Sequence, residues 1–317
     1  MELHEIRYFL ALSRMRNFTR AAESCNVTQP ALTRAIQKLE QEMGGPLFSR
    51  ERGRIRLTGL GQALEPHLAE ILTRADAAKH TARRFRQPDH GGLTLGVMGS
   101  IGPLWFARFL GAFRRAHPGI ETTLVEDTPG RLSRLLVAGA IDSAVMAQPD
   151  GFAAPLSAES LYSERFTVAC AVGHPFQARD AVAMRELDGQ PYLLRTNCEF
   201  RDVLGERARA AGARLVERFR SEREDWLLKL AAAGLGICLL PEFSAVQPGL
   251  VARPVVSPSV FREVCLVTVS GRRASAPLER FVRAVKDHDW WRGGGVAEPA
   301  ANGSGGAGRA AAQQERP

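Results

Sequence analysis

Residues 18–50 hold two helix-forming runs separated by one short turn, and this spacing constrains the chain more than any other feature. Arg20–Ser24, with Ala21 and Ala22, is followed by Asn26 and Val27. A second run then extends from Gln29 to about Met43, where Gly44, Gly45 and Pro46 stop it. Small alanines allow the two helices to approach closely. Thr19 reads as the N-cap of the first helix and Thr28 as that of the second. Pro30 falls in the second helix's first turn, where a missing N–H costs nothing. Ala31, Leu32, Ala35, Ile36 and Leu39 form a buried stripe, leaving Gln29, Thr33, Arg34, Gln37 and Lys38 on the other faces. This is the layout of a helix-turn-helix DNA reader.

The flanks agree with it. Leu3, Ile6, Phe9, Leu10 and Leu12 recur at helical spacing and predict a helix over 3–15. Leu47–Leu57 reads as two short strands about a turn containing Gly53, with Arg50, Arg52 and Arg54 clustered toward its tip, a wing beside the helices. A basic helix face alone is more often solvated surface than an interface. Here caps, turn and wing coincide with the charge: residues 1–87 hold 15 Lys/Arg against 9 Asp/Glu, whereas the remainder holds 27 against 25. The positive excess of this chain therefore sits in the segment suited to a polyanion. Gln29 has the groups to pair with adenine, Arg34 with guanine, and Pro30 can touch a thymine methyl. Arg50, Arg52 and Arg54 suit phosphate or the minor groove.

Thr58 caps a long helix predicted over 59–86. Leu60, Leu64, Leu68, Ile71, Leu72 and Ala75 form an apolar stripe along it. A lone helix cannot bury such a stripe, and its length and position between domains favour pairing with a second copy over packing on its own chain. After a linker at 87–92, strands at Leu93–Met98, Ile120–Glu126 and Ile141–Ala147 alternate with helices ending near Arg115 and spanning Arg131–Ala138. A second cycle places strands at Phe166–Val172, Pro191–Leu194, Ile237–Leu240 and Val264–Val269. Its helices fall at Glu199–Ala211, Arg223–Ala233 and Leu278–Asp287. Such alternation argues a mainly parallel sheet flanked by helices. Residues 293–317, rich in Gly, Ala and Gln, read as a disordered tail.

Other function classes find little support. Cys25, Cys170, Cys198, Cys238 and Cys265 are widely spaced without a Cys-x-x-Cys pair, so neither a metal site nor a disulfide framework is expected, and no cofactor is implied. None of the seven histidines falls in a nucleophile motif, and Gly234-Leu235-Gly236 lacks the remaining glycine of a dinucleotide fingerprint. An enzyme is not expected. The start lacks a basic segment followed by an apolar core, and no apolar run approaches the ~20 residues that span a bilayer. The expected location is the reducing cytoplasm.

The chain resembles the LysR-type transcriptional regulators over roughly residues 1–290. The resemblance is carried by Ala21-Ala22, Val27 through Thr33, Ile36, Leu39-Glu40, Gly44, Leu47-Phe48, Arg50, Leu57-Thr58 and Gly61. Further on it is carried by Gly234-Leu235-Gly236-Ile237 and Leu240-Pro241-Glu242. Thr33 stands where the family usually has Ser and keeps the hydroxyl. The resemblance implies an α+β chain. Its parts are a winged helix-turn-helix at 1–58, a linker and dimerisation helix at 59–87, and an effector-binding domain of periplasmic-binding-protein type at 91–290. That domain comprises two α/β subdomains, about 91–162 with 266–290 and about 163–265, joined by crossovers near Leu161–Arg165 and Arg262–Leu266. The resemblance places Gln29, Pro30, Thr33, Arg34 and Lys38 on the helix entering the major groove. It further implies a dimer or tetramer bending double-stranded DNA at a roughly palindromic promoter site, with RNA polymerase as a partner if the protein activates.

Three loops at the C-terminal ends of strands are candidates for the effector cleft: Ser100-Ile101-Gly102, Thr128, and Thr196-Asn197-Cys198 with Phe200. Each precedes a helix N-terminus, which favours an anionic effector; the bland alternative is that Ser100, Thr128 and Asn197 only cap helices. Trp226 is a further pocket candidate that is more often core. Cys198 opens a thiol-sensing alternative. Peroxide-sensing members of the family carry a reactive cysteine in a similar loop, then an Arg-Asp pair, then a second cysteine about nine residues on. This chain has Cys198 and Arg201-Asp202, but Arg207, Ala208 and Arg209 occupy the region of the second cysteine. A constitutive DNA-bending protein with a vestigial cleft is the remaining rival.

Overall fold

The computed structural model describes residues 1–51, 54–86 and 92–290. The expected tail at 293–317, Arg52 and most of the linker lie outside the described residues. Helix α1 (Leu3–Met15) begins with a capping box in which the Glu2 N–H donates to Glu5 Oε2 at 2.8 Å. Helix α2 runs Phe18–Ser24, and its cap is Asn17 rather than Thr19: the Asn17 side chain accepts from the Arg20 N–H at 3.0 Å. Asn17 has the extended backbone that an N-cap requires, which displaces the start of the helix two residues toward the N-terminus. Helix α3 (Gln29–Glu42) buries Leu32, Ile36 and Leu39, whereas Ala31, expected in the stripe, is exposed.

Strands β1 (Phe48–Glu51) and β2 (Arg54–Leu57) pair antiparallel to form the wing. Glu40 fixes the wing to α3 by accepting from the N–H groups of Leu47 (2.8 Å) and Phe48 (3.2 Å). Helix α4 (Gly59–Arg86) starts against the same strand. A Cβ on Gly61 would lie 2.2 Å from the Leu47 carbonyl oxygen, so only glycine permits this approach.

The stripe on α4 divides in two. Leu68 is buried in the N-terminal core with Ile6, Phe9, Leu39 and Leu47, and Leu64 and Leu72 pack against that core. Ser13 also donates to the Glu65 carboxylate across α1 and α4. Leu68 is therefore not available to a second copy, contrary to the expectation for the whole stripe. A helix this long projects its first four turns over its own domain. Leu60 and Ile71 remain exposed and Ala75 half-buried.

The α/β part holds β3 (Leu93–Met98), α5 (Pro103–Ala116), β4 (Thr122–Asp127), α6 (Pro129–Ala138) and β5 (Ser143–Met146) in its first cycle. Then come β6 (Leu156–Ala171), β7 (Val182–Ala183), β8 (Pro191–Arg195), α7 (Arg201–Ala210), β9 (Val216–Ser221), α8 (Glu224–Ala232) and β10 (Cys238–Pro241). The chain closes with β11 (Leu250–Val256), β12 (Phe261–Val269) and α9 (Ala276–Asp287). Strands β4, β3 and β5 are parallel neighbours, and β5 pairs antiparallel with the C-terminal half of β12. In the second half, β8 pairs parallel with β9 and bridges Ile237 beside β10 through Tyr192.

The two halves share their long strands. The first part of β6 pairs with β12, while Phe166–Ala171 of the same strand pairs with β10 and β11. Both chain crossovers are thus one hydrogen-bonded ribbon, with a register shift in β12 between Val264 and Cys265. Among the described residues no helix is long and apolar enough to cross a membrane.

Candidate nucleic-acid interface and inter-subdomain cleft

On α3, Thr28, Gln29, Pro30, Arg34 and Lys38 are exposed and Thr33 is half-buried. Both hydroxyls serve the helix itself. Thr28 Oγ1 accepts from the Ala31 N–H at 3.4 Å, and Thr33 Oγ1 donates to the Gln29 carbonyl at 2.9 Å. The side chains of Gln29 and Arg34 have no partner among the described residues, and stand off a helix locked from behind by Leu32, Ile36 and Leu39.

Lys38 differs from its neighbours. Its Nζ lies 2.8 Å from Oε1 of Glu5, a buried carboxylate on α1. Burial pushes the Glu5 pKa up, but Lys38 and the Glu2 N–H outweigh it, and the net shift is downward. Lys38 thus ties α3 to α1, and a phosphate must compete with Glu5 for it. Arg50 and Arg54 lie on the two wing strands, Arg50 opposite Ile55 and Arg54 opposite Glu51.

Between the subdomains lies a cavity of about 500 Å³. It opens at the C-terminal ends of parallel strands: Gly99 follows β3, Glu126 is near the end of β4, Arg195 ends β8 and Glu222 follows β9. Open α/β sheets bind ligands at such edges, and the volume lies in the range of small-molecule sites. Pro103, Leu104, Leu228, Phe243 and Val246 supply the apolar wall. A larger cavity of about 840 Å³ lies elsewhere, between α4, α6 and the segment around Phe152–Leu156. It is a groove between the linker helix and the first subdomain, away from the strand ends.

None of the eight residues expected to bind an effector lines the 500 Å³ cavity. Ser100 is consumed by the fold. Arg262 donates through Nη1 to Ser100 Oγ and through Nη2 to the Ser100 carbonyl, both at 2.6 Å. Ile101 is core. Gly102 lies so close to the second subdomain that a Cβ would sit 2.4 Å from the Phe243 carbonyl oxygen. Thr128 gives its N–H to its neighbour Asp127 at 2.8 Å and makes no side-chain cap. The Thr196 hydroxyl is buried without a partner, exposed Asn197 offers its carbonyl to Arg195 at 3.2 Å, and Phe200 packs in the core against Phe166. Ser100, Cys198 and Phe200 do surround another void, but of about 10 Å³, too small for an organic ligand.

Charged residues at the same strand ends took the place of these small ones. Arg195 donates to Glu224 and Glu199, each at 3.1 Å, and Arg223 holds Asp225 at 2.9 and 2.6 Å. Burial raises the pKa of Glu224, only partly opposed by Arg195 and a hydrogen bond from Ser244. The rule that selected the loops, position at a strand's C-terminal end, would also have found Glu126 and Arg195.

Two family profiles cover almost the whole folded chain. The LysR substrate binding domain matches residues 86–290, and the lysR-family bacterial regulatory helix-turn-helix protein matches residues 3–62. The chain belongs to the LysR family of transcriptional regulators. This LysR-type regulator is 28% identical over 292 residues to the uncharacterized HTH-type transcriptional regulator YybE of Bacillus subtilis, covering 91% of this chain and 99% of that one. It is 29% identical over 293 residues to the hydrogen peroxide-inducible genes activator of Dickeya chrysanthemi, with 91% and 96% covered. Among solved structures it is similar to a variant of full-length OxyR from Pseudomonas aeruginosa, at 27% identity and a TM-score of 0.55 over 90% of this chain and 99% of that one. Its fold is also that of CbnR, at 22% identity, a TM-score of 0.62, and 90% and 98% coverage.

Similarity to peroxide activators makes Cys198 of this regulator worth testing. It is half-buried before α7. Burial pushes its pKa up, and Arg195, the Phe200 N–H and Arg262 only partly offset that. The thiolate is the reactive form, so an upward shift opposes reactivity. No second cysteine stands on α7, where Ala208 is core. The expected result is that peroxide leaves the DNA footprint unchanged in both the native chain and Cys198→Ser. A peroxide-dependent footprint abolished by Cys198→Ser would establish thiol sensing instead.

Proposed function

We propose that this LysR-type regulator binds double-stranded DNA through the N-terminal half of α3, with Thr28, Gln29, Pro30, Thr33 and Arg34 in the major groove. The wing arginines Arg50, Arg52 and Arg54 take the backbone or minor groove. The observation that carries this reading is the pair of side chains Gln29 and Arg34, without partners among the described residues, held on a helix whose opposite face is buried. Exposed Leu60, Ile71 and half-buried Ala75 on α4 contribute to a dimer, or a dimer of dimers, that bends a roughly palindromic promoter site. The cleft between the subdomains takes a small-molecule effector, which acts by favouring one spacing of the paired DNA readers. It does so only to the extent that it binds that arrangement more tightly. RNA polymerase is the further partner where the regulator activates.

Selection of binding sites from random duplex DNA supplies the probe for a direct test. Against a selected duplex, the double variant Gln29→Ala/Arg34→Ala is expected to bind on the order of 100-fold more weakly, since each good base contact contributes about 1–3 kcal/mol. Because both side chains are exposed, its unfolding temperature should match the native chain. Undiminished binding by this variant would exclude α3 as the reading helix.

A further inference from the structure

The charges lining the 500 Å³ cavity define the chemistry of its occupant. Four carboxylates (Glu126, Glu222, Glu224 and Asp225) face two guanidiniums (Arg195 and Arg223). Each arginine is already paired with a carboxylate. Arg195, almost buried, gives three N–H donors to Glu224, Glu199 and the Asn197 carbonyl, and Arg223 gives two to the carboxylate oxygens of Asp225. The helix N-terminus that would attract an anion here is occupied too: Glu224 and Asp225 stand in the first turn of α8 and already complement its dipole. An anionic effector, expected from helix N-termini alone, would meet a lining that is negative on balance.

The remaining carboxylates, Glu126 and Glu222, have no ion-pair partner among the described residues, and they come from opposite subdomains. The Glu126 carboxylate lies over Gly99, its Oε1 being 2.8 Å from where a Cβ would stand. Beside these charges two large apolar side chains are open to solvent at the cavity's edge, Leu104 on the first subdomain at 64% exposure and Val246 on the second at 58%. Exposed aliphatic groups lining one cavity with carboxylates that have no ion pair among the described residues suit a molecule that is apolar along its body and positive at one end. An ion pair formed here would be partly desolvated by Leu228 and Phe243, and the apolar body would cover Leu104 and Val246.

We propose that the effector of this regulator is a small organic cation, an amine or guanidine with an apolar body, that bridges the subdomains with its charge at Glu126 and its body on Leu104 and Val246. The inference rests on the reading of this cleft as the effector site. By contacting both subdomains at once, such a cation stabilises their approach, which is the differential affinity that a switch requires.

The test titrates the full chain with hexylamine and, at matched ionic strength, with hexanoate, following thermal unfolding and tryptophan fluorescence. Trp105 stacks on the cavity residue Phe243 with ring centroids 4.5 Å apart, so filling the cavity should alter its emission. Saturable stabilisation by hexylamine and none by hexanoate is expected. In Glu126→Gln the amine's affinity should fall about five-fold, the upper end for one exposed charge pair, with the free chain's stability unchanged. Val246→Trp, which fills the cavity from an exposed position, should abolish binding. Stabilisation by hexanoate but not hexylamine would overturn the cation and leave the cleft as effector site. Amine binding indifferent to both substitutions would overturn the placement. If neither probe binds and operator bending is constant, the effector reading falls as well, and the regulator is a constitutive DNA-bending protein.

Discussion

Arg262→Ala is expected to lower the stability of the α/β domain by about 3–5 kcal/mol, the cost of stranding one member of a buried ion pair. Arg262 on β12 is 3% exposed and Glu164 on β6 is 0% exposed. Their pairing is bidentate on one oxygen, with Nε at 2.9 Å and Nη2 at 2.7 Å from Glu164 Oε1. The second Glu164 oxygen accepts from the Phe243 N–H at 3.2 Å, while the rest of the guanidinium grips Ser100. One ion pair on the crossover ribbon thus clasps a loop of each subdomain. Without Arg262 the carboxylate keeps a single donor among the described residues in a buried site beside Tyr162, whose own hydroxyl pKa burial pushes up. Urea unfolding followed by circular dichroism measures the loss. Glu164→Gln/Arg262→Met should recover much of it, because removing both charges leaves nothing uncompensated. A loss below about 1 kcal/mol in Arg262→Ala would mean that water reaches the site.

Leu68→Ala should destabilise the N-terminal domain by about 2–5 kcal/mol, as expected for a buried leucine emptied in a packed core. Leu68 is 2% exposed among Phe9, Leu39 and Leu47, although it belongs to the linker helix. Ile71, one turn further and 38% exposed, is the control. Ile71→Ala should leave unfolding of the dilute chain nearly unchanged and weaken self-association measured by sedimentation. If both substitutions had equal effects on unfolding, the stripe would not be divided between core and interface.

Much of the fold was legible because its signals are local. The Thr28 cap, Pro30 in the first turn and the 3.6-residue spacing of Leu32, Ile36 and Leu39 define α3 without reference to the rest of the chain. The parallel order of β3, β4 and β5 follows from alternating strand and helix runs. What escaped was structure stabilised from a distance. Strand β9, Val-Glu-Arg-Phe-Arg-Ser over 216–221, has no apolar run and exists because β8 supplies its hydrogen bonds. The first half of β6 is polar and largely exposed for the same reason, its partner being β12. Strand β11 carries Pro254 within its span yet is held between β6 and β7.

The candidate cleft shows the same boundary more sharply. From the sequence alone follow the DNA-reading helix, the wing, the linker helix and the strand ends where a ligand belongs, since caps, turns and periodicity act over a few residues. Which side chains face the cavity depends on pairings across 162 residues in the case of Arg262 with Ser100, and 29 in the case of Arg195 with Glu224. Ser100 has the composition of a binding residue and is used as a clasp. Leu68 has that of an interface residue and is used as core. Only the tertiary structure decided these roles, because hydrogen-bond capacity and apolar surface are consumed by whichever partner the fold brings within reach first.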